Sequence, residues 1–402
     1  GKESALIVSS ASPSYRSLDV AYPYRQSSNF YYLTGSRRKN SLLFLSPLLA
    51  KPLFFYVPQT EKETVWEGEE ESGERVARRV GAKALCVKNL EEAVIKHLAG
   101  HYTLFFDYSP FSLNIVRKVA FMPPYKKINL PKVYATAEIL LAKLRLIKDR
   151  EEIELIKNAG KITWECIKGC LPLIKEGTRE SNIKSRIESL MREWGAYPAF
   201  DTIVAAGKSA AVLHYTECSN KLKNGEMVLI DCGAEKDMYC ADITRVFPVN
   251  KKFQAKQRIL YNAVLTAQKE VIKKIKPGVS VATLYNTAVE IIAETLIELG
   301  VLKGGLKSVI RQGEYKQYFP HGIGHSLGID VHDIGEYREK MNLKLEKGMV
   351  ITVEPGVYFL KPKNRIAALG IRIEDDVLVT PSGSKVLTSF VPKELEEIES
   401  LF

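Results

Sequence analysis

Residues 227–249 read MVLIDCGAEKDMYCADITRVFPV. How this stretch pairs with itself decides the fold of the second half of the chain. Two apolar runs flank a short polar segment, the pattern of an antiparallel hairpin. A turn at Lys236-Asp237 sets Ala234 opposite Tyr239 and Asp231 opposite Asp242. Residues directly opposite share a face of the sheet, with Cβ atoms about 5 Å apart. Two carboxylates so placed repel each other and destabilise the hairpin. A divalent cation removes the conflict, because hard ions take carboxylate oxygens. The hairpin alone leaves two readings open: a solvated acidic pair at a loose hairpin, or half of a metal centre.

The same pattern recurs further along. LKNGEMVLID (222–231) resembles LEKGMVITVE (345–354), and each first strand ends on an acid, Asp231 or Glu354. Each second strand carries another, Asp242 in ADITRVF and Glu374 in RIEDDVLV. Helix-like runs precede both. Glu151–Cys170 carries Ile153, Ile156, Ile162 and Cys166 at helical spacing, and Arg179–Trp194 carries Ile183, Ile187 and Leu190 before Gly195. Gln254–Ile275 is a second long helix, and Ser280 caps one ending at Gly300. A duplicated domain brings all four acids to one central place.

Four of the six histidines fall in this region: His214, His321, His325 and His332. Three lie in YFPHGIGHSLGIDVHD (318–333), where Gly322 and Gly324 disfavour a helix and favour a loop or strand edge. In GIRIEDDVLV (370–379), strand alternation sends Arg372 and Glu374 to one face. Arg372 there orients and neutralises a ligating carboxylate. The run Glu374-Asp375-Asp376 adds negative charge for a metal to relieve. Four carboxylates with imidazole form a hard ligand set, unlike the Cys and His of structural zinc sites. Two divalent ions suit it, and hydrolysis is their natural reaction.

Upstream, ALIVSS, SLLFLS, LFFYVP and TLFFDY read as buried strands, with helices over Glu69–Val80 and Leu90–Leu98. This alternation predicts an α/β domain over 1–136. The prolines at 123, 124 and 131 mark a linker region before a second domain over 137–402. The fold class expected is therefore α+β, an N-terminal α/β domain followed by a duplicated one.

Composition narrows the function classes. The chain has 402 residues, 46% hydrophobic and 26% charged, ordinary for a soluble globular protein. The net charge of +11 is spread among interleaved Glu, Lys and Arg, so no nucleic-acid partner is expected. No run of eighteen apolar residues marks a membrane helix. The opening GKESALIVSSA is too short and polar for a signal peptide. Six cysteines with no CxxC pair point to a reducing cytoplasm.

Together these residues resemble the aminopeptidase P family, the X-Pro aminopeptidases among the pita-bread (creatinase/aminopeptidase-like) metallopeptidases. The resemblance runs through YPYRQSSNFYYLTG (22–35), HYTE (214–217), 231–250, HGIGHSLGIDVHD (321–333), VEPGVY (353–358) and GIRIEDDVLV. It implies that Asp231, Asp242, His325, Glu354 and Glu374 bind two divalent ions, with Asp242 and Glu374 bridging them. It implies Mn²⁺, with Co²⁺ or Zn²⁺ as the other candidates. A hydroxide between the ions attacks the carbonyl before proline, and Glu354 handles its proton. His214 and His332 bind substrate and steady the tetrahedral intermediate, His321 lines the proline pocket, and Arg372 supports Glu374 or the substrate. The expected partners are peptides with proline in second position. The expected assembly is a homodimer or homotetramer, with Asp19 and Trp66 reaching a neighbour's cleft and the N-terminal domain gating the site. An X-Pro dipeptidase and a non-catalytic peptide-binding protein are the alternatives. Phe200-Asp201 replaces the Tyr-Asn common in the family.

Overall fold

The structure, a computed structural model, describes residues 3–334 and 341–402. The chain divides into two compact units, Gly1–Lys143 and Leu144–Phe402.

The first unit carries strands β1 (Ser4–Ser9), β2 (Tyr15–Ser17), β3 (Val20–Ala21), β4 (Ser41–Leu45), β5 (Leu53–Tyr56), β6 (Lys83–Cys86), β7 (Thr103–Phe106) and β8 (Val133–Thr136). Its helices are α1 (Ser28–Thr34), α2 (Glu61–Glu67), α3 (Gly73–Arg79), α4 (Leu90–His97) and α5 (Pro110–Ala120), and the division between units falls within α6 (Glu138–Leu146). Six strands form one mixed sheet in the order β6-β5-β4-β1-β7-β8. The pairs β1–β7, β7–β8 and β5–β6 are parallel. Strands covered on both faces read as continuous apolar runs, and β5 is buried throughout. The helix expected over Glu69–Val80 is shorter. Gly68, at φ 82°, ends α2, and Ser72 caps a separate start at Gly73. Glycine reaches that left-handed conformation without a Cβ penalty.

The second unit adds strands β9 (Tyr197–Pro198), β10 (Ile203–Ala206), β11 (Met227–Cys232), β12 (Ala234–Lys236), β13 (Tyr239–Cys240), β14 (Ile243–Pro248), β15 (Val350–Val353), β16 (Gly356–Phe359), β17 (Leu369–Arg372), β18 (Asp375–Val379) and β19 (Ser384–Val386). Its helices are α7 (Arg150–Cys170), α8 (Glu180–Glu193), α9 (Ala255–Lys274), α10 (Val281–Glu298), α11 (Leu306–Gln312) and α12 (Leu395–Ser400). The repeat seen in the sequence is here in full. A packed helix pair, α7 with α8 and then α9 with α10, precedes each set of strands. In each set a long hairpin leaves one sheet, folds back in another, and returns: β11-β12-β13-β14, then β15-β16-β17-β18. One core, including Ile162, Ile167, Val228, Ile230, Val264, Ile292, Ile351 and Val377, lies between helices and strands.

The register of the first hairpin differs from the sequence-based one by two residues. Lys236 pairs with Tyr239 and Asp231 with Thr244. The turn residues are Asp237 and Met238, both at positive φ, 52° and 69°, as a type I′ hairpin turn requires. A slip of two preserves the face. Asp231 and Asp242 therefore still share a side, diagonal rather than opposite.

Candidate metal centre

Each of the four acids sits at or beside a point where the long hairpins change sheet. Asp231 is the second-last residue of strand β11, Asp242 lies between β13 and β14, Glu354 between β15 and β16, and Glu374 between β17 and β18. At the first crossing only glycine fits: a Cβ on Gly233 would stand 1.8 Å from the Ala241 carbonyl oxygen.

Ligand atoms of Asp242, His325 and Glu374 all lie within 4.8 Å of one another, and all three residues are buried. His325 Nε2 stands 3.5 Å from Asp242 Oδ2 and 3.6 Å from Glu354 Oε1. Its Nδ1 lies 3.1 Å from the Ser326 carbonyl oxygen. A carbonyl only accepts, so Nδ1 carries the proton and Nε2 presents its lone pair to the acids. The His325 amide donates to Thr352 Oγ1, whose hydroxyl donates to Glu354 Oε1 at 3.3 Å.

Arg372 joins the set from the other side. It donates to Asp231 Oδ2, to Thr244 Oγ1 at 3.1 Å and to the Tyr358 hydroxyl at 3.1 Å. Thr244 in turn donates to Glu374 Oε2 at 2.6 Å. Arg372 therefore orients Asp231 directly and Glu374 through Thr244. The Tyr358 hydroxyl also meets His321 Nε2 at 2.8 Å, and His321 Nδ1 is 3.9 Å from Glu354 Oε2. The His332 ring stacks edge-on to His325, centroids 4.3 Å apart, with His332 itself exposed. His214 stands outside this hydrogen-bonded set. It is exposed, three residues beyond the short helical turn Gly207–Ala211, which packs against β17 at Gly370.

The electrostatics favour a cation. Burial, then the neighbouring Asp231, Asp376 and Glu354, pushes the Asp242 carboxyl well up. Burial, then Asp242, Glu354 and Asp231, does the same to Glu374. Burial also raises Glu354, but His325, His321 and Arg372 outweigh it and hold that carboxyl down. Among the described residues the buried Asp231 Oδ1 and Asp242 Oδ1 accept no hydrogen bond. Buried carboxylate oxygens without donors are rare, and divalent ions satisfy both the oxygens and the repulsion. The five predicted ligands thus fit a metal by their chemistry.

One expectation changes. Asp375 needs no metal: Arg245 at 2.7 Å and Lys393 at 2.7 Å neutralise it, and they hold its carboxyl low despite burial. The fully buried Arg245 also donates to the Glu374 carbonyl oxygen at 2.6 Å and to the Thr244 carbonyl oxygen at 2.9 Å. Arg245, Thr244, Thr352 and Tyr358 are site residues that the sequence reading missed. Thr244 alone had a visible signal, two residues beyond Asp242 on the same face.

Comparison with known proteins agrees with this geometry. Residues 154–381 match the model of metallopeptidase family M24, and residues 1–105 match the aminopeptidase P N-terminal domain. A Haemophilus influenzae Xaa-Pro aminopeptidase is 36% identical across 99% of this chain and 93% of its own. The Escherichia coli Xaa-Pro aminopeptidase is 33% identical with the same coverage. The structure of E. coli aminopeptidase P with the inhibitor Pro-Leu superimposes with a TM-score of 0.93 at 33% identity, covering 99% of this chain and 94% of that one. A zinc-substituted form of that enzyme in complex with product gives the same TM-score at 32% identity.

Proposed function

Because this chain belongs to metallopeptidase family M24 and carries the aminopeptidase P N-terminal domain, we infer that it is an X-Pro aminopeptidase. It hydrolyses the bond between an N-terminal residue and a following proline. The observation that carries the reading is the buried Asp242–His325–Glu374 cluster, flanked by Asp231 and Glu354, in a chain similar over nearly its whole length to Xaa-Pro aminopeptidases.

Asp231, Asp242, His325, Glu354 and Glu374 would hold two divalent ions, with Mn²⁺ our choice of metal. Such ions supply an activated water and polarise the scissile carbonyl. The rest is the work of the chain's own residues. Glu354, whose carboxyl is held low despite its burial, accepts a proton at a carboxylate oxygen and passes it to the departing proline nitrogen. That nitrogen belongs to a tertiary amide and needs protonation to leave. His321, fixed by Tyr358, faces the proline side. His332 and His214, both exposed, grip the substrate and stabilise charge developing on its carbonyl oxygen. Arg372 keeps Asp231 and Glu374 oriented.

The N-terminal unit serves assembly and gating. The exposed apolar residues Tyr15, Leu18, Val20 and Tyr22 on the β2–β3 ribbon, with Val65 and Trp66, support a homodimer or homotetramer. All six cysteines are free thiols, which supports a cytoplasmic setting. Among the described residues, no helix is long and apolar enough to cross a membrane.

The deciding experiment compares Ala-Pro-Ala with Ala-Pro in the presence of Mn²⁺. Release of alanine from the tripeptide is expected. Cleavage of the dipeptide alone would make the enzyme an X-Pro dipeptidase.

A further inference from the structure

The loop that carries His325 and His332 is held from beneath by a buried ionic cluster that plays no part in the ligand set. Asp333, directly after His332, pairs with both Arg145 and Lys148 Nζ, the latter at 2.8 Å. The three side chains are at most 2% exposed. Arg145 also reaches Asp330 at 2.7 Å, so two cations face two carboxylates. Arg145 comes from the end of α6 and Lys148 from the short link into α7. Lys148 precedes its N-cap, Asp149, and the Lys148 amide donates to the Gly348 carbonyl oxygen at 2.8 Å. The anchor is therefore tied to a helix start and to the approach to β15.

The loop is shaped around this carboxylate. A Cβ on Gly328 would lie 2.2 Å from Asp333 Oδ2 and 2.9 Å from Lys148 Cε. The Asp333 amide donates to the Ser326 carbonyl oxygen at 2.9 Å, and Ser326 Oγ donates back to the Asp333 carbonyl oxygen at 3.1 Å. The same Ser326 carbonyl oxygen accepts from His325 Nδ1. The Asp333 backbone and Ser326 thus close the loop between the two imidazoles, and the Asp333 carboxylate ties that closure to Arg145 and Lys148.

We propose that Asp333, clamped between Arg145 and Lys148, is a positioning residue that sets the His332 imidazole against His325 for substrate binding. Buried charge pairs impose one geometry because any displaced arrangement leaves a charge unpaired. His332 directly precedes the clamped residue, so the clamp fixes the backbone from which its imidazole projects toward His325. The proposal rests on the peptidase reading for its kinetic consequence, not for the clamp itself.

The test uses Mn²⁺-loaded enzyme and Ala-Pro-Ala. Asp333→Asn leaves two buried cations against one carboxylate and threatens folding, so Lys148→Met and Lys148→Arg are the working variants. Lys148→Met is expected to lower kcat by roughly 10–100-fold, as loss of an outer support does, with bound metal unchanged. Lys148→Arg recovers most of that activity. In a His332→Ala background, Lys148→Met costs nothing further, because the pair acts through one residue. An equal loss with and without His332, or an arginine no better than methionine, overturns the proposal. Imidazole NMR of the metal-free enzyme, free of paramagnetic Mn²⁺, separates this from the peptidase reading. The His332 ring resonances are expected to shift in Lys148→Met whether or not the wild type cleaves the tripeptide, and unmoved resonances overturn the clamp. A wild type inert toward the tripeptide overturns the peptidase reading alone.

Discussion

At the residue scale, the centre is a balance of charge that the protein does not close by itself. Four carboxylates meet one buried arginine, and two oxygens among them lack donors. Removing Glu374 takes away a member of the tight three-residue cluster. Glu374→Ala is expected to lose at least one equivalent of bound metal and to lower kcat by more than about 100-fold, beyond what loss of an outer support costs. Elemental analysis of the purified variant checks this, and full metal content would remove Glu374 from the ligand set. His214 tests the other side of the division. It lies outside the hydrogen-bonded cluster and is exposed. His214→Ala is therefore expected to keep its metal and its Tm while kcat/KM falls by roughly 10²–10⁴-fold, the range for lost charge stabilisation or proton transfer. Steady-state kinetics beside metal analysis decide it.

At the element scale, the crossings of the two long hairpins matter more than any strand. Gly233 allows the outgoing and returning chains to pass, with the Ala241 carbonyl oxygen where a side chain would begin. Gly233→Ala forces backbone apart in a core with no slack. It is expected to cost about 3 kcal/mol or more, the upper range for overpacking, and to lower metal affinity with it, since Asp231 and Asp242 flank the crossing. Thermal unfolding with and without Mn²⁺ measures both. An unchanged Tm would show that the crossing relaxes. The hairpin also shows the limit of turn reading. Nothing in Lys236-Asp237-Met238 advertises two consecutive residues at positive φ, for which Asn-Gly or Asp-Gly is the usual signal. The register consequently came out two residues away, while the face, which alternation controls, came out right.

At the scale of the whole molecule, two units of different origin in sequence pattern each have a core of their own. The exposed apolar ribbon of the first unit motivates the assembly proposed above. Leu18 is fully exposed at the ribbon's tip, where it costs the folded monomer nothing to replace. Leu18→Asp is expected to shift sedimentation toward monomer while changing the unfolding free energy of the monomer by no more than about 0.5 kcal/mol, as for surface substitutions generally. Unchanged sedimentation would place the assembly contacts elsewhere.

The sequence by itself determined that the acids fall at or beside the ends of strands and that the strands come twice. Those features follow from periodicity and from apolar runs that end on a charge, both properties of neighbours along the chain. The helices of the second unit were legible for the same reason, through apolar spacing and through Ser280 and Gly195 at their ends. Only the tertiary structure decided which charges answer one another. Asp375 is neutralised by Arg245 and Lys393, and Asp333 by Arg145 and Lys148, partners up to 188 residues away. Local pattern carries no information about such pairs. A buried charge is stabilised by whatever the fold brings within a few ångströms, and that is settled by packing rather than by sequence distance.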